Sequence, residues 1–244
     1  MLGSTLQKFF SATLTLLCIC ALLTSKSINA SAADNPLLRA GVSFAIPPWV
    51  IQETNSGIEL DILRSALRPY AIEVEPVFIP FARAFSLFDS NDLDVVLNAK
   101  PGSVRSGFYS DPVVQFENVA ISLKKKNFPT DLTIADLTDK RVVAFQNASK
   151  FLGREFQEMT EKNKLYDEIA KQKIQINLLF LRGKIDFIIM DKSIFGYYWS
   201  EAIEELKSNG EDTSSLLQPV EFHYLFPKTS YPFVFQNEDI KKQI

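Results

Sequence analysis

The stretch LRGKIDFIIMDKS, residues 181–193, combines a buried-strand pattern with a charged residue at the point where the strand should end. Five apolar side chains lie between Ile185 and Met190, interrupted by a single aspartate. A short apolar run of this kind predicts a strand buried inside a sheet. Ligands of open α/β sheets bind at the carboxyl ends of strands, so Asp191 is a candidate ligand-binding residue. The alternative role for the same carboxylate is that of an exposed turn acid, which could act as the N-cap of the following helix.

Strand-like and helix-like segments alternate on both sides of this stretch. Towards the C-terminus, helical spacing continues over 193–207 and a final strand is predicted over 220–226. Towards the N-terminus, the patterns predict a strand over 140–146 and helices over 149–159 and 172–183. This alternation argues for an α/β sheet rather than a β-sandwich.

The first half of the chain repeats the same order. Strands are predicted over 37–45, 72–79 and 93–99, and helices over 58–67 and 82–90. The two halves join near residues 118–127, and the last strand, 220–226, is expected to return to the first half. The predicted architecture is therefore an α/β fold of two lobes, with a ligand cleft between them.

The N-terminal segment has the features of an export signal. Lys8 precedes an apolar run over 11–23, and Ala-Ser-Ala at 30–32 has the small residues of a cleavage site. These features predict a signal peptide over 1–32, with an uncleaved membrane anchor as the alternative. Both cysteines of the chain lie within this segment, so the mature protein would have neither a disulfide nor a thiolate nucleophile.

The remaining composition favours a binding protein over an enzyme. Removing the signal segment leaves 24 basic and 29 acidic side chains, a charge of −5, which does not suggest nucleic-acid binding. His223 is the single histidine and lies in an apolar strand, where a buried core imidazole is expected. A glycine-rich phosphate loop and metal-binding His/Cys spacing are both absent from the sequence, so neither a cofactor nor a metal is expected.

Several motifs, taken in their order, resemble bacterial extracellular solute-binding proteins of family 3, the polar amino acid receptors of ABC importers. They are AIPPW (45–49), SGIELDIL (56–63), FIPFARAFSLFDSNDLDVVL (78–97), FYSDPVVQFENVAISLKK (108–125) and RGKIDFIIMD (182–191). The resemblance covers about residues 38–240.

This resemblance implies a type II periplasmic binding fold, in which two α/β lobes joined by two hinge strands close on a ligand. The first lobe would comprise residues 33–118 and the second lobe 119–219. Residues 220–244 would contain the return strand and the start of a C-terminal helix of the first lobe. Members of the family continue that helix beyond the point that corresponds to residue 244. The chain is therefore expected either to lack that part of the fold or to come from a truncated reading frame.

Three parts of the ligand site follow from the resemblance. Asp191 corresponds to the carboxylate that holds a ligand's α-ammonium group, and Arg105 to the arginine that clamps a ligand carboxylate. The stretch from Arg105 to Pro112 is two or three residues shorter than in the family, which puts the clamp geometry in question. Asn147 and Ser149 belong to a turn that offers helix N-terminal amides to an anion, and an ordinary helix cap is compatible with that role.

The remaining candidates lie in the first lobe. Trp49 corresponds to an aromatic wall that stacks on the ligand, with core packing as the alternative. Arg83 either binds the ligand or pairs with an acid such as Glu59 or Asp61. Asn98, near the end of the strand predicted over 93–99, is a further ligand-binding candidate.

The implied function is that of a monomeric periplasmic protein that captures a small polar, amino acid-like solute by hinge closure. The closed form would present the solute to the membrane permease of an ABC importer. A sensing module that signals ligand occupancy to a membrane partner is the alternative. An enzyme on the same fold is a third possibility.

Overall fold

The computed structural model describes residues 36–43, 46–180 and 184–244. Leu37–Ile244 form one compact unit. The predicted signal peptide lies outside the described residues, as do the last two residues of the strand predicted over 37–45 and the last three of the helix predicted over 172–183.

The first half of the chain forms a mixed five-stranded sheet. β1 is parallel to β2 and β3, and β12 runs antiparallel to β3 and β4. The strand order is β2-β1-β3-β12-β4. These strands are β1 (Leu37–Val42), β2 (Glu73–Phe78), β3 (Val95–Val96), β4 (Phe108–Tyr109) and β12 (Val234–Phe235).

Helix α1 (Ile58–Leu67) has the bounds that the sequence predicts and packs an apolar face against this sheet. Leu60, Leu63 and Leu67 are fully buried in the core of the sheet. The helix begins after Gly57, whose φ of 126° and closeness to the chain leave no room for a side chain. A Cβ at this position would lie 2.4 Å from the carbonyl oxygen of Trp49, so the loop that carries Trp49 is held against the start of α1.

Helix α2 (Phe81–Asp89) agrees with the predicted helix to within one residue at each end. It connects β2 to β3, and its Ala84 and Phe88 are buried against Leu93 and Val96. Because β1 and β3 are parallel neighbours, their carboxyl ends lie at one edge of the sheet.

The second half forms another mixed five-stranded sheet, in the order β10-β6-β9-β7-β8. β7 is parallel to β8 and β9, whereas β6 is antiparallel to β9 and β10. These strands are β6 (Asn118–Leu123), β7 (Val142–Phe145), β8 (Tyr166–Ile169), β9 (Phe187–Asp191) and β10 (Val220–His223). β9 is buried along its whole length, as its apolar run predicts.

The helices of the second half include one difference from the sequence prediction. The single helix predicted over 149–159 is two helices, α3 (Ala148–Phe151) and α4 (Arg154–Lys162), because Gly153 adopts a φ of 97° between them. The other two are α5 (Lys173–Phe180) and α6 (Lys192–Ser208). A final short helix, α7 (Glu238–Lys241), follows β12.

The crossing back to the first sheet differs from the expectation. Residues 220–226 were expected to return to the first half, but β10 pairs with β6 inside the second sheet. The return is made later, by β11 (Thr229–Tyr231), which pairs antiparallel with β5 (Val114–Phe116) in a separate two-stranded ribbon. The chain therefore crosses between the sheets twice, and the two crossings are hydrogen-bonded to each other.

Candidate functional site

A cavity of about 560 Å³ lies where the carboxyl ends of strands from both sheets meet. Ser43 follows β1 and Asn98 follows β3, whereas Gln146 follows β7 and Asp191 ends β9; all four line the cavity. Phe116 and Tyr231 of the β5–β11 ribbon complete its wall. This is the position in which α/β folds bind ligands, and the volume suits a small molecule.

Asp191 lies at the cavity and also caps a helix. Its side chain is only 3% exposed. Oδ1 accepts hydrogen bonds from the backbone amides of Ser193 (2.9 Å) and Ile194 (3.2 Å), which makes Asp191 the N-cap of α6. Oδ2 accepts one hydrogen bond, from the amide of Glu117 at 2.7 Å. Both roles considered for this residue, cap and cavity carboxylate, are therefore compatible.

The carboxylate of Asp191 keeps capacity for one more donor. A carboxylate offers about four acceptor positions, and Oδ2 uses only one of its two. Burial raises the pKa of Asp191, against the lowering effect of its hydrogen bonds to Glu117, Ile194, Trp49 and Ser193. A cationic donor entering the cavity would offset this desolvation of the charged form.

Trp49 connects the two halves of the site. Its Nε1 donates to Oδ1 of Asp191 at 3.3 Å, so a residue beside the first sheet is bonded to the last residue of β9. Its ring packs on Phe116 with a centroid distance of 5.1 Å. Phe116, rather than Trp49, is among the residues that line the cavity. Trp49 therefore supports the aromatic wall from behind and contacts both halves.

Asn98 is paired with a buried acid. Its Nδ2 donates to both Oε1 and Oε2 of Glu59, at 2.8 Å each. Glu59 is fully buried in the first turn of α1, and this burial raises its pKa to about 7. Asn98 has a φ of 55°, a left-handed conformation that asparagine tolerates better than most residues.

The anion seat predicted at Asn147 and Ser149 exists, but a side chain of this protein occupies it. Glu168 of β8 accepts hydrogen bonds from the amide of Asn147 at 2.6 Å and from the amide of Ser149 at 2.9 Å. Tyr166 donates a third, at 2.8 Å. These hydrogen bonds outweigh desolvation and lower the pKa of Glu168. Neither Asn147 nor Ser149 is among the cavity-lining residues, so the amides serve an internal carboxylate.

Replacing Glu168 with glutamine should lower the free energy of unfolding by about 2 kcal/mol, since two amides and a hydroxyl lose an ionised acceptor. Urea denaturation at pH 7 measures this change. Asp167→Asn is the matched control, because Asp167 is the exposed neighbour on the same strand. An equal loss in both variants would show that the amides of α3 gain nothing from the carboxylate.

Arg105 and Arg83 are not brought to the cavity. The side chain of Arg105 is 87% exposed and its Nε lies 3.7 Å from Asp89 Oδ2. Its backbone amide also donates to Asp89, which ties this turn to the end of α2. Arg83 is exposed on α2, and Glu59, one of its two suggested partners, bonds Asn98 instead. The guanidinium clamp expected at Arg105 is therefore absent from the cavity in this conformation.

Among the described residues that line the cavity, Lys100 is the basic one. Its Nζ lies 5.0 Å from the ring centroid of Tyr231. Gln172, which precedes α5, also lines the cavity, and its Oε1 is buried without a hydrogen-bond partner. The sequence reasoning missed both residues, although Lys100 lies only two positions after Asn98.

Within residues 36–43, 46–180 and 184–244, the structure has no group of three or more His, Cys, Asp or Glu side chains arranged to hold a metal ion. Over the same residues, no helix combines the length and the hydropathy needed to cross a membrane. His223 is 4% exposed, and its Nε2 lies 3.0 Å from Ser122 Oγ inside the second sheet.

Comparison with known proteins identifies the fold. No protein-family model matches this sequence. No curated protein matches it either. Solved structures do match it: the GluR0 ligand-binding core in complex with L-glutamate is 16% identical, with 85% of this chain and 88% of that chain covered and a TM-score of 0.59.

Two further structures give the same result. The substrate-binding protein of an ABC uptake transporter from Streptococcus pneumoniae, with bound histidine, is 18% identical and covers 85% of this chain and 83% of its own, with a TM-score of 0.56. An ancestral amino acid-binding protein, described as a precursor of cyclohexadienyl dehydratase, is 16% identical with 85% of each chain covered and a TM-score of 0.55. These likenesses confirm the predicted α/β fold of two-lobed solute-binding proteins.

Proposed function

We propose that this chain is an exported solute-binding protein that captures a small polar, amino-bearing solute, namely an amino acid or a related compound. The two sheets would form the two lobes, and they would close on the solute about the β5–β11 ribbon. The chain would act as a monomer and would pass the solute to the membrane permease of an ABC importer. The carrying observation is a cavity at the strand ends of both sheets with a buried carboxylate that can still accept a donor.

The charges of the cavity support a zwitterionic solute. Asp191 and Lys100 are the acidic and basic side chains among its described lining residues; Lys100 follows β3 of the first sheet and Asp191 ends β9 of the second. An ammonium group would bind the free acceptor position of Asp191, since charge-assisted hydrogen bonds are about twice as strong as neutral ones. A carboxylate would bind Lys100. All three solved structures named above are described as binding amino acids, which supports the same class of solute.

Closure of the two lobes would complete the site. Asn98 follows β3 of the first sheet and Asp191 ends β9 of the second, so a solute would contact both only when the lobes meet. Differential contacts of this kind shift an open–closed equilibrium towards the closed form. The Trp49–Asp191 hydrogen bond would add to the stability of the closed form, because it joins a residue beside the first sheet to the end of β9 in the second.

The site residues favour binding over catalysis. His223 is held inside the second sheet by Ser122 and is not among the cavity-lining residues. Three backbone amides donate to Asp191 and hold its carboxylate in place as the N-cap of α6, which suits a fixed binding group. We therefore propose that the protein binds its solute without converting it.

A panel of the twenty L-amino acids should identify the solute class. A solute present at about 100 times its Kd stabilises the protein by about 2.7 kcal/mol, which corresponds to a rise in Tm of about 5–10 °C for a chain of this size. Thermal unfolding of residues 33–244 with each amino acid at 10 mM measures the rise. L-lactate and L-2-hydroxyglutarate are matched controls without an ammonium group and should give no rise. If no amino acid raised Tm, the proposed solute class would be wrong.

Uptake by cells separates the importer from the sensing alternative. A strain without this protein should lose uptake of the amino acid that raises Tm, measured with radiolabelled solute. Unchanged uptake, together with confirmed binding in vitro, would favour a module that reports occupancy to a membrane partner.

A further inference from the structure

The Glu59–Asn98 pair leaves one polar atom of the site without a partner. Both Glu59 oxygens accept from Nδ2 of Asn98, so the opposite atom of the carboxamide, Oδ1, points away from the acid. This Oδ1 is buried and has no hydrogen-bond partner. Asn98 is 93% buried, given its 7% exposure, and it lines the cavity. A buried acceptor of this kind costs free energy unless a donor satisfies it.

The acid determines which end of the carboxamide is presented. An asparagine side chain can exchange the positions of its oxygen and its nitrogen by turning about one bond, and its hydrogen-bond partners decide between them. An ionised Glu59 only accepts hydrogen bonds, so it must be met by Nδ2. The charge of Glu59 also polarises the amide, which strengthens Oδ1 as an acceptor.

Other acceptors of the cavity match this orientation. Gln172, which lies between β8 and α5, also lines the cavity, and its Oε1 is likewise buried and unpartnered. Oδ2 of Asp191 retains an acceptor position, as described above. Three side chains that line the cavity therefore each carry an acceptor with unused capacity, which is the complement of a cationic group with several N–H donors.

Resting on the proposed function, we infer that Glu59 is a positioning residue that holds the Asn98 carboxamide with Oδ1 towards the cavity, where it binds a positively charged N–H donor of the solute. The ammonium group of an amino acid is such a donor. Glu59 itself does not touch the solute, since Asn98 lies between them.

Protonation of Glu59 should release this orientation. A protonated carboxyl group can donate as well as accept, so Asn98 is then free to turn and present Nδ2 to the cavity. Burial and Asn98 are the influences acting on the pKa of Glu59, and no charged side chain of the described residues contributes. Among the described residues that line the cavity, Asp191 and Lys100 are the acidic and basic ones, and each would contact the solute independently of Glu59.

The first test measures solute binding by calorimetry with L-glutamate, L-histidine and L-arginine as probes. Asn98→Gly removes the carboxamide but suits the left-handed backbone, and it should raise the Kd at least 10-fold. Glu59→Gln should raise the Kd about 10-fold at pH 8 but less than twofold at pH 5.5, where wild-type Glu59 is protonated. When both substitutions are combined in one chain, the loss of binding free energy should be smaller than the sum of the losses caused by each substitution alone.

Asp61→Asn is the matched control. Asp61 is an exposed acid in the first turn of the same helix, so its substitution changes the charge as Glu59→Gln does but leaves Asn98 untouched. It should change the Kd less than twofold at both pH values. A loss in Glu59→Gln that is equal at pH 5.5 and pH 8 would show a merely structural role and overturn the inference.

A second test does not depend on any solute. In ¹⁵N-labelled protein, the side-chain NH₂ resonances of Asn98 are those that disappear in Asn98→Gly. They should shift between pH 5 and pH 9 with a midpoint of about 7 and should stop titrating in Glu59→Gln. If they do not titrate in the wild-type protein, the orientation is wrong. If they titrate but no probe binds, the pairing is correct and both the proposed solute class and the ligand contact are overturned.

Discussion

Asp191→Ala should weaken binding of an amino-bearing solute by about 2–4 kcal/mol, which is about 30- to 1000-fold in Kd. The reason is that the ammonium group would lose its counter-charge in a cavity where Asp191 is only 3% exposed. Isothermal calorimetry with the amino acid that raises Tm most measures the loss. Unchanged affinity would remove Asp191 from the solute site and leave it as a helix cap alone.

The same substitution also removes structural hydrogen bonds, so a companion variant is needed. Asp191→Ala deprives the amides of Ser193, Ile194 and Glu117 of their acceptor and should lower the free energy of unfolding by about 1–2 kcal/mol through the cap alone. Asp191→Asn retains a side-chain oxygen for the cap of α6, because asparagine is an equally good N-cap. Its stability should therefore be closer to that of the wild-type protein.

The two variants separate the two roles of Asp191 because they differ in cap strength but share the loss of charge. If the carboxylate binds the ammonium group, both should bind the solute weakly although only alanine is strongly destabilised. If the residue acts only through the fold, affinity should follow stability, and the asparagine variant should bind nearly as well as the wild-type protein. Urea denaturation alongside the calorimetry decides between these results.

The features that the sequence predicts well depend on local pattern. The apolar run before Asp191 predicts both strand β9 and the residue at which it ends. A short apolar run and the polar residue that stops it can both be read from neighbouring residues of the sequence. Helix α1 matches its predicted bounds for the same reason, with glycine before it and proline soon after. The two-lobed fold follows from the order of such elements.

The features that the sequence does not predict depend on pairing between distant segments. The anion of the Asn147–Ser149 turn is Glu168, which reaches those amides because β7 and β8 are parallel neighbours. Residues 220–226 carry no local sign of which sheet they join, and β10 pairs with β6. The role of Arg105 follows from resemblance alone, and in the structure this side chain lies beside Asp89.

Glu59 illustrates why burial of a charge is difficult to predict. It lies between Ile58 and Leu60 in an amphipathic helix, where an acid in the first turn is ordinarily solvated and interacts favourably with the helix dipole. Only the tertiary structure shows that Ile58 is exposed, that Glu59 is fully buried, and that its partner is Asn98, 39 positions away. From the sequence alone, Glu59 is a candidate only as an ion-pair partner of Arg83.

Glu59→Gln should stabilise the protein at neutral and alkaline pH. Burial raises the pKa of Glu59 from 4.5 to about 7, so the folded state binds a proton that the unfolded state releases. The contribution of Glu59 to stability is therefore greatest below pH 4.5, decreases as the pH rises, and is lost above pH 7. A shift of this size corresponds to about 3 kcal/mol. Glutamine has no such charge, so the variant's advantage in unfolding free energy should grow by about 3 kcal/mol between pH 4 and pH 8.

Urea denaturation of both proteins at half-unit pH intervals measures this growth. For Asp61→Asn, the difference in unfolding free energy from the wild-type protein should stay constant over the same pH range. Because the change with pH is compared, any constant effect of the new amide on packing cancels. A flat difference for Glu59→Gln would mean that Glu59 titrates in the folded state as it does in the unfolded chain. A rise in stability combined with a loss of solute affinity at pH 8 would instead show that the protein tolerates an unfavourable buried charge because that charge orients Asn98 for binding, a trade-off between stability and function in a single side chain.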